Sequence, residues 1–233
     1  MNILVTGASR GIGNAIAKEL MSTGNIYVTG RNAETLKTIG AKEFCVCNLA
    51  NDLTELKEFI KTNSIDVLIN NAGEYIYGAI DSAKSEEIER IYNTNLLAPT
   101  QLISVAIPHM KNQHWGRIIN IGSISGVMGE AYASLYSASK AGLIGLTKAL
   151  ALELAEYDIT VNTINPGWVE TELGLSSIEE GDFSKEEILD CIPQKRFVKP
   201  EEVATLCKYL ITTDAKGITG QSINLCAGLS VGI

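Results

Sequence analysis

Basic side chains are in the minority in this 233-residue chain: 19 Lys and Arg stand against 27 Asp and Glu, a formal net charge of −8. A general nucleic-acid binder needs a basic stripe that displaces counterions from phosphates, so that class is excluded. Docking on an anionic membrane surface is excluded for the same reason. Long apolar runs are missing too. None approaches the ~18 residues of a membrane span, and the opening Met1-Asn2-Ile3-Leu4-Val5 reads as a strand, not as a basic leader. The 5 cysteines show no CxxC spacing, and Cys45 and Cys47 lie two apart in an apolar strand, where they fill space instead of forming a disulfide or metal site. Only 2 histidines occur, His109 and His114, both ahead of the fifth strand and far from the edge where chemistry is expected, so no histidine-based metal site or nucleophile is expected. These features predict a cytoplasmic protein without metal.

What the chain does have is 45% hydrophobic residues and 21 Gly against 5 Pro, a globular composition with many tight turns. Short apolar runs recur at Ile3–Thr6, Ile26–Thr29, Phe44–Cys47, Val67–Asn70, Arg117–Gly122, Ile159–Ile164 and Ser222–Leu225. Most lack polar alternation, as strands covered on both faces do. Helical periodicity fills the intervals. Ile12, Ile16, Leu20 and Met21 share one spacing, as do Leu53, Leu56, Phe59 and Ile60; one long helix follows Ser85 and another covers about 134–156. Pro200-Glu201-Glu202 opens the last helix, with proline at the first position and carboxylates at the positive end of the dipole. This alternation predicts an α/β fold: a single-domain, Rossmann-type, doubly wound parallel sheet with helices on both faces. Ligands then bind beyond the carboxyl ends of the strands.

After the first strand comes Thr6-Gly7-Ala8-Ser9-Arg10-Gly11-Ile12-Gly13, leading straight into a helix. Glycines permit a tight turn and close approach to a pyrophosphate, and the helix start offers unpaired N–H groups. The spacing is GxxxGxG, not the GxGxxG of other dinucleotide folds. In order there follow Asn70-Asn71-Ala72-Gly73, Asn95, Ser123 with Tyr136-x-x-x-Lys140, and Pro166-Gly167. The ordered set, covering essentially residues 2–228, resembles the short-chain dehydrogenases/reductases. That resemblance implies about seven strands in the order 3-2-1-4-5-6-7. It implies a nicotinamide cofactor held by Gly7, Ser9, Arg10, Gly11, Ile12, Gly13, Arg31, Asn48, Leu49, Asn71, Ala72, Gly73, Tyr136, Lys140, Pro166, Gly167, Val169 and Thr171.

Gly30 stands where NAD-specific members carry Asp, and Arg31 and Arg10 flank the same pocket. Guanidinium groups bind phosphate bidentately, so a 2′-phosphate and hence NADP(H) is the expected choice. Tyr136 and Lys140 are four apart and share a helix face. A nearby ammonium lowers the phenol's pKa, and Ser123 after the fifth strand polarises the substrate oxygen. By the resemblance, Asn95 joins a proton relay to Lys140.

Within the family the chain looks most like the 3-oxoacyl-carrier-protein reductases, through Gly116-Arg117-Ile118-Ile119-Asn120, Ser139-Lys140-Ala141-Gly142-Leu143, Ile192-Pro193-Gln194-Lys195-Arg196-Phe197 and Ile218-Thr219-Gly220-Gln221. It departs from them at Ala133 and Leu135, at Glu74-Tyr75-Ile76-Tyr77, and at Tyr157, where a basic contact for an acidic carrier is expected; Arg117 is left in that basic role. The carrier-bound ketone therefore stands beside a free ketone, keto acid or polyol, and beside a non-catalytic NADPH-binding scaffold. Residues 172–190 hold seven carboxylates and one lysine, within a segment (172–193) that closes over the substrate in relatives. Small and apolar residues on the helices near 86–111 and 135–156 imply a homotetramer.

Overall fold

Alternate residues of each central strand feed opposite faces of one sheet. In the computed structural model, which describes residues 1–174, 178 and 184–231, Ile3, Val5, Val67, Ile69, Ile119 and Ile121 join one hydrophobic cluster. Leu4, Leu68, Ile118 and Val161 join the other. The strands are β1 (Asn2–Thr6), β2 (Asn25–Gly30), β3 (Glu43–Val46), β4 (Val67–Asn70), β5 (Gly116–Ile121), β6 (Ile159–Pro166) and β7 (Ser222–Leu225). They form a seven-stranded sheet in the order β3-β2-β1-β4-β5-β6-β7, every pairing parallel. The expected order and parallel character hold, with strand ends displaced by a residue or two. β3 and β7 each have one neighbour, and their side chains are accordingly only partly covered.

The first cluster takes Ile16 and Leu20 from helix α1 (Gly11–Leu20), Leu36 from α2 (Ala33–Lys37) and Val203 and Cys207 from the helix Pro200–Leu210. The second takes Leu56 and Ile60 from α3 (Thr54–Thr62) and, further along, Leu102 and Met110 from a helix over Ala98–Asn112 and Ala151 and Leu154 from one over Ser134–Leu154. Proline does open Pro200–Leu210, and Glu202 reaches back to accept from the Lys199 N–H at 2.8 Å. Beneath the strand ends a polar ladder crosses the sheet. Asn70 Nδ2 donates to Asn120 Oδ1 (2.9 Å), Asn120 Nδ2 to Thr147 Oγ1 (2.9 Å), and Thr147 meets the Thr163 hydroxyl (2.7 Å).

The single long helix expected after Ser85 is instead three pieces: α4 (Ser85–Tyr92), a π-helical turn (Asn93–Leu97) and α5 (Ala98–Asn112). The break falls at Asn95. Later come α6 (Ser125–Met128), α7 (Ser134–Leu154), α8 (Lys185–Cys191) and α9 (Pro200–Leu210).

Arg117 corrects the sequence reading. Its side chain is 0% exposed at the start of β5, so it presents no charge to a carrier protein. Nη1 donates to the Gly116 and Asp158 carbonyls at 2.8 and 2.7 Å, and the guanidinium lies 4.6 Å from the Trp115 ring centroid. Arginine here works as an internal clamp between β5 and the turn before β6. His109 is 2.9 Å from Asp66 Oδ1, and His114 packs on Tyr157, both at the amino ends of the strands. Cys45 and Cys47 pack against the second cluster as expected. Among the described residues no helix is long and apolar enough to cross a membrane.

Candidate active site

A cavity of about 850 Å³ opens beyond the carboxyl ends of the strands. It is lined by every expected site residue except Gly13 and Asn95, which sit behind its wall.

At one end the β1–α1 turn is built around close approach. Gly7 has φ +66°, and a Cβ there would lie 2.7 Å from Ala72 Cα. A Cβ on Gly13 would collide with Asn71 Nδ2 and the Gly7 carbonyl. Asn71 welds the turns after β1 and β4 together: its Nδ2 donates to the carbonyls of Thr6 (2.9 Å) and Gly7 (3.1 Å). Its N–H and that of Ala72 both donate to Thr6 Oγ1 at 3.0 Å. Asn71 is thus chiefly a brace for the turn. The α1 N-terminus has no side-chain cap and no acid in its first turn, which leaves its first N–H groups facing the cavity for an anion.

Gly30 at the end of β2 offers no carboxylate, and a Cβ there would run into Ser9 Oγ. Arg31 lines the cavity, and none of the described carboxylates is paired with it. Arg10 differs: its Nη1 is 2.6 Å from Glu172 Oε1, with both groups more than half exposed. An exposed pair of this kind is worth about 0–1 kcal/mol, so a phosphate can displace it. Leu49 is buried, and Asn48 Oδ1 accepts locally from the Ala50 N–H at 3.2 Å. Pro166 closes β6, a Cβ on Gly167 would lie 2.9 Å from that of Cys226, and Val169 is buried in an isolated bridge with Val198. Thr171 Oγ1 accepts from Gly174 N at 3.0 Å. An uncapped helix start, glycine-lined approach and cavity-facing guanidinium groups fit a dinucleotide with an extra phosphate.

At the other end Ser123 follows β5, and Tyr136 and Lys140 lie one turn apart on α7. Lys140 is 3% exposed, and its Nζ donates to the Ile121 carbonyl at 2.8 Å. Burial brings its ammonium down to about 8. The expected lowering of the tyrosine is not found. Burial pushes the Tyr136 phenol up to about 12, against a lowering by the Ser123 hydrogen bond and with the Glu130 charge adding to the rise. The Lys140 Nζ is 5.6 Å from the Tyr136 ring centroid, so desolvation outweighs its field.

Asn95 is fully buried in the π turn. Its Oδ1 accepts from the Glu74 N–H and its Nδ2 donates to the Glu74 carbonyl, each at 2.8 Å, and to Ser139 Oγ at 3.1 Å. Those bonds fasten the segment after β4 to α7.

Glu130 is a cavity residue that the sequence reading did not single out, and Tyr75, also on the wall, entered it only as part of a departure from the carrier-protein reductases. The Tyr75 hydroxyl donates to Glu130 Oε1 at 2.7 Å, and Ser125 Oγ donates to Glu130 Oε2 at 2.6 Å. Ser123 Oγ in turn donates to Ser125 Oγ at 3.1 Å. Tyr75 packs edge-on against Tyr136 with centroids 5.0 Å apart, and burial followed by Glu130 holds its phenol above the usual range. One signal was available: Glu130 is the only charged residue between Ser123 and Tyr136.

The acidic segment is only partly in view. Glu172 and Glu187 line the cavity; Glu187 accepts from the Ser184 N–H (2.9 Å) at the start of α8. Glu179, Glu180 and Asp182, also part of the expected lid, lie outside the described residues.

A family model described as short chain dehydrogenase matches residues 1–181. A 3-oxoacyl-[acyl-carrier-protein] reductase FabG of Rickettsia conorii is 39% identical, the match covering 97% of this chain and 95% of that protein. A D-beta-hydroxybutyrate dehydrogenase of Rhizobium meliloti is 36% identical over 97% of this chain and 96% of its own length. Among solved structures, the actinorhodin polyketide ketoreductase with NADPH superposes with a TM-score of 0.93 at 35% identity, covering 99% of this chain and 97% of that one. YwfH, an NADPH-dependent reductase involved in bacilysin biosynthesis, gives 0.93 at 28% identity, covering 100% and 99%.

Proposed function

The chain belongs to the short-chain dehydrogenase/reductase family, an oxidoreductase family acting on ketones and secondary alcohols, and from that premise we propose an NADPH-dependent reductase of a neutral 3-oxoacyl group. The observation that carries this reading is one cavity with Ser123, Tyr136 and Lys140 at one end and Arg10 and Arg31 at the other. NADPH, when bound, supplies the hydride. Gly7, Gly11 and the α1 N-terminus would hold its pyrophosphate, and Arg31 with Arg10 its 2′-phosphate. Ser123 turns its hydroxyl from Ser125 toward the ketone oxygen and stabilises the charge that develops there. Tyr136, with a phenol at about 12, holds its proton at neutral pH and gives it to that oxygen. Lys140 stabilises the phenolate left behind. Asn95 acts as a positioning residue behind this set.

The likeness to the 3-oxoacyl-[acyl-carrier-protein] reductase of Rickettsia conorii favours a carrier-bound substrate. The burial of Arg117 favours the second reading, a free neutral ketone, because it withdraws a basic contact for an acidic carrier. NADPH oxidation with an acetoacetyl thioester, a carrier-bound 3-oxoacyl chain and free ketones tests both. Turnover of none of them overturns the reductase assignment. Five free cysteines suit a reducing cytoplasm, and Leu97 and Leu152, 47% and 85% exposed, suit helix pairing in a homotetramer.

A further inference from the structure

The substrate end of the cavity carries a carboxylate that no described cation neutralises. Glu130 takes its hydrogen bonds from hydroxyls, Tyr75 at 2.7 Å and Ser125 at 2.6 Å, and among the described residues no cation pairs with it. Its neighbours differ. Glu74 is bound to Arg90 Nε at 2.7 Å, and Glu172 to Arg10. The cavity-lining cations are Arg10 and Arg31, at the cofactor end, and Lys140, committed to the Ile121 carbonyl. Two hydrogen bonds, of 2.6 and 3.1 Å through Ser125, separate Glu130 from Ser123. A ketone oxygen held by Ser123 and Tyr136 therefore places the next few substrate atoms within a charge–charge distance of Glu130. Met128, Trp168, Ile188 and Leu229 also line the cavity without a counter-charge, and Glu187, a further carboxylate on its wall, takes its hydrogen bonds from Ser184 at the start of α8.

We propose that Glu130, held by Tyr75 and Ser125, is the specificity-determining residue of the substrate subsite: it rejects ketones bearing a carboxylate near the carbonyl and admits neutral or cationic ones. The inference rests on the reductase reading and sharpens it. A 3-oxoacyl thioester presents no charge near the ketone, whereas the free 3-oxo acid with the same chain does. The chain would thus reduce the esterified form and leave the hydrolysed form alone, unlike its hydroxybutyrate-named relative. Each carboxylate oxygen keeps a free lone pair, so a substrate N–H or O–H still finds an acceptor there.

The test uses three small methyl ketones of different charge, acetoacetate (−1), methyl acetoacetate (0) and aminoacetone (+1), against the wild type and Glu130→Gln. Binding is read from the fluorescence of Trp168 in the cavity wall, and kcat/KM from NADPH oxidation. Like charges a few ångströms apart at a half-buried site differ by about tenfold or more in binding. Relative to methyl acetoacetate, Glu130→Gln is expected to favour acetoacetate about tenfold more than the wild type does and aminoacetone about tenfold less. Shifts of opposite sign for opposite charges are something a loosened fold does not produce. Equal weakening of all three, or no change in the ratios, overturns the proposal. If the wild type binds the series but reduces none of it, the reductase reading fails while the binding ratios still decide the role of Glu130.

Discussion

Asn95 holds both backbone groups of Glu74 with one side chain, its Oδ1 taking the N–H and its Nδ2 meeting the carbonyl, each at 2.8 Å. An amide used this way replaces a strand partner for the segment that carries Tyr75. Asn95→Ala should lower stability by roughly 2–4 kcal/mol, since several buried polar groups lose partners at once. Denaturant melts check this, and a cost below about 1 kcal/mol counts against the bracing role.

Tyr136→Phe removes the proton that the ketone oxygen needs while leaving the ring to pack on Tyr75. Turnover should fall about 100- to 10,000-fold with NADPH affinity little changed. Stopped-flow reduction alongside cofactor titration separates the two effects. Retained turnover sinks the assignment.

Lys140 sits at about 8 because burial penalises its charge. The unfolded chain binds that proton up to about pH 10.4, the folded chain only to about pH 8, so stability rises with pH between those values. Below pH 8 the cost is fully present. Lys140→Met should therefore raise stability at pH 7 by roughly 1–2 kcal/mol, the freed Ile121 carbonyl offsetting part of the gain, and should abolish turnover. Ketone reduction by the wild type should be level below about pH 8 and decline above it. A melt showing Lys140→Met less stable at pH 7 contradicts the account.

Arg31→Ala should weaken NADPH by about 1–3 kcal/mol, roughly 5- to 150-fold, and NADH hardly at all. Arg10→Ala should do less, because Arg10 first gives up Glu172. Equal losses for both cofactors remove the 2′-phosphate role from this pair.

Leu152→Glu, on the exposed face of α7, should convert an assembled form to smaller species in size-exclusion light scattering. A wild type that runs as a monomer removes the tetramer from consideration.

The α/β alternation, the glycine turn and the Tyr136–Lys140 pair were legible because each is written in local pattern: apolar runs, glycine spacing and an i,i+4 pair. The strand order and the place of Ser123 came only through the family resemblance. Arg117 was not, since charge in a sequence reads as exposure, and only the fold reveals that the Gly116 and Asp158 carbonyls enclose it. The direction of the Tyr136 shift was missed for a similar reason. Lysine proximity is visible in spacing, but the desolvation that outweighs it is a property of the packed cavity. The Glu130–Tyr75 contact joins positions 55 residues apart and had no local trace beyond a solitary acid.

The π turn at Asn93–Leu97 holds one residue more than an α-helix would fit into the same rise. Removing a single residue there would let α4 and α5 fuse into one regular rod, with a gain in helix regularity. The wide turn absorbs that residue, so the faces of α4 and α5 would stay nearly in place while the turn that aims Asn95 disappears. Asn95 would swing off Glu74, and the Tyr75 segment would lose its anchor. The irregularity is an inserted wedge that trades helical perfection for aim, and a one-codon deletion would be invisible to a helix-content measurement while emptying the site of its geometry.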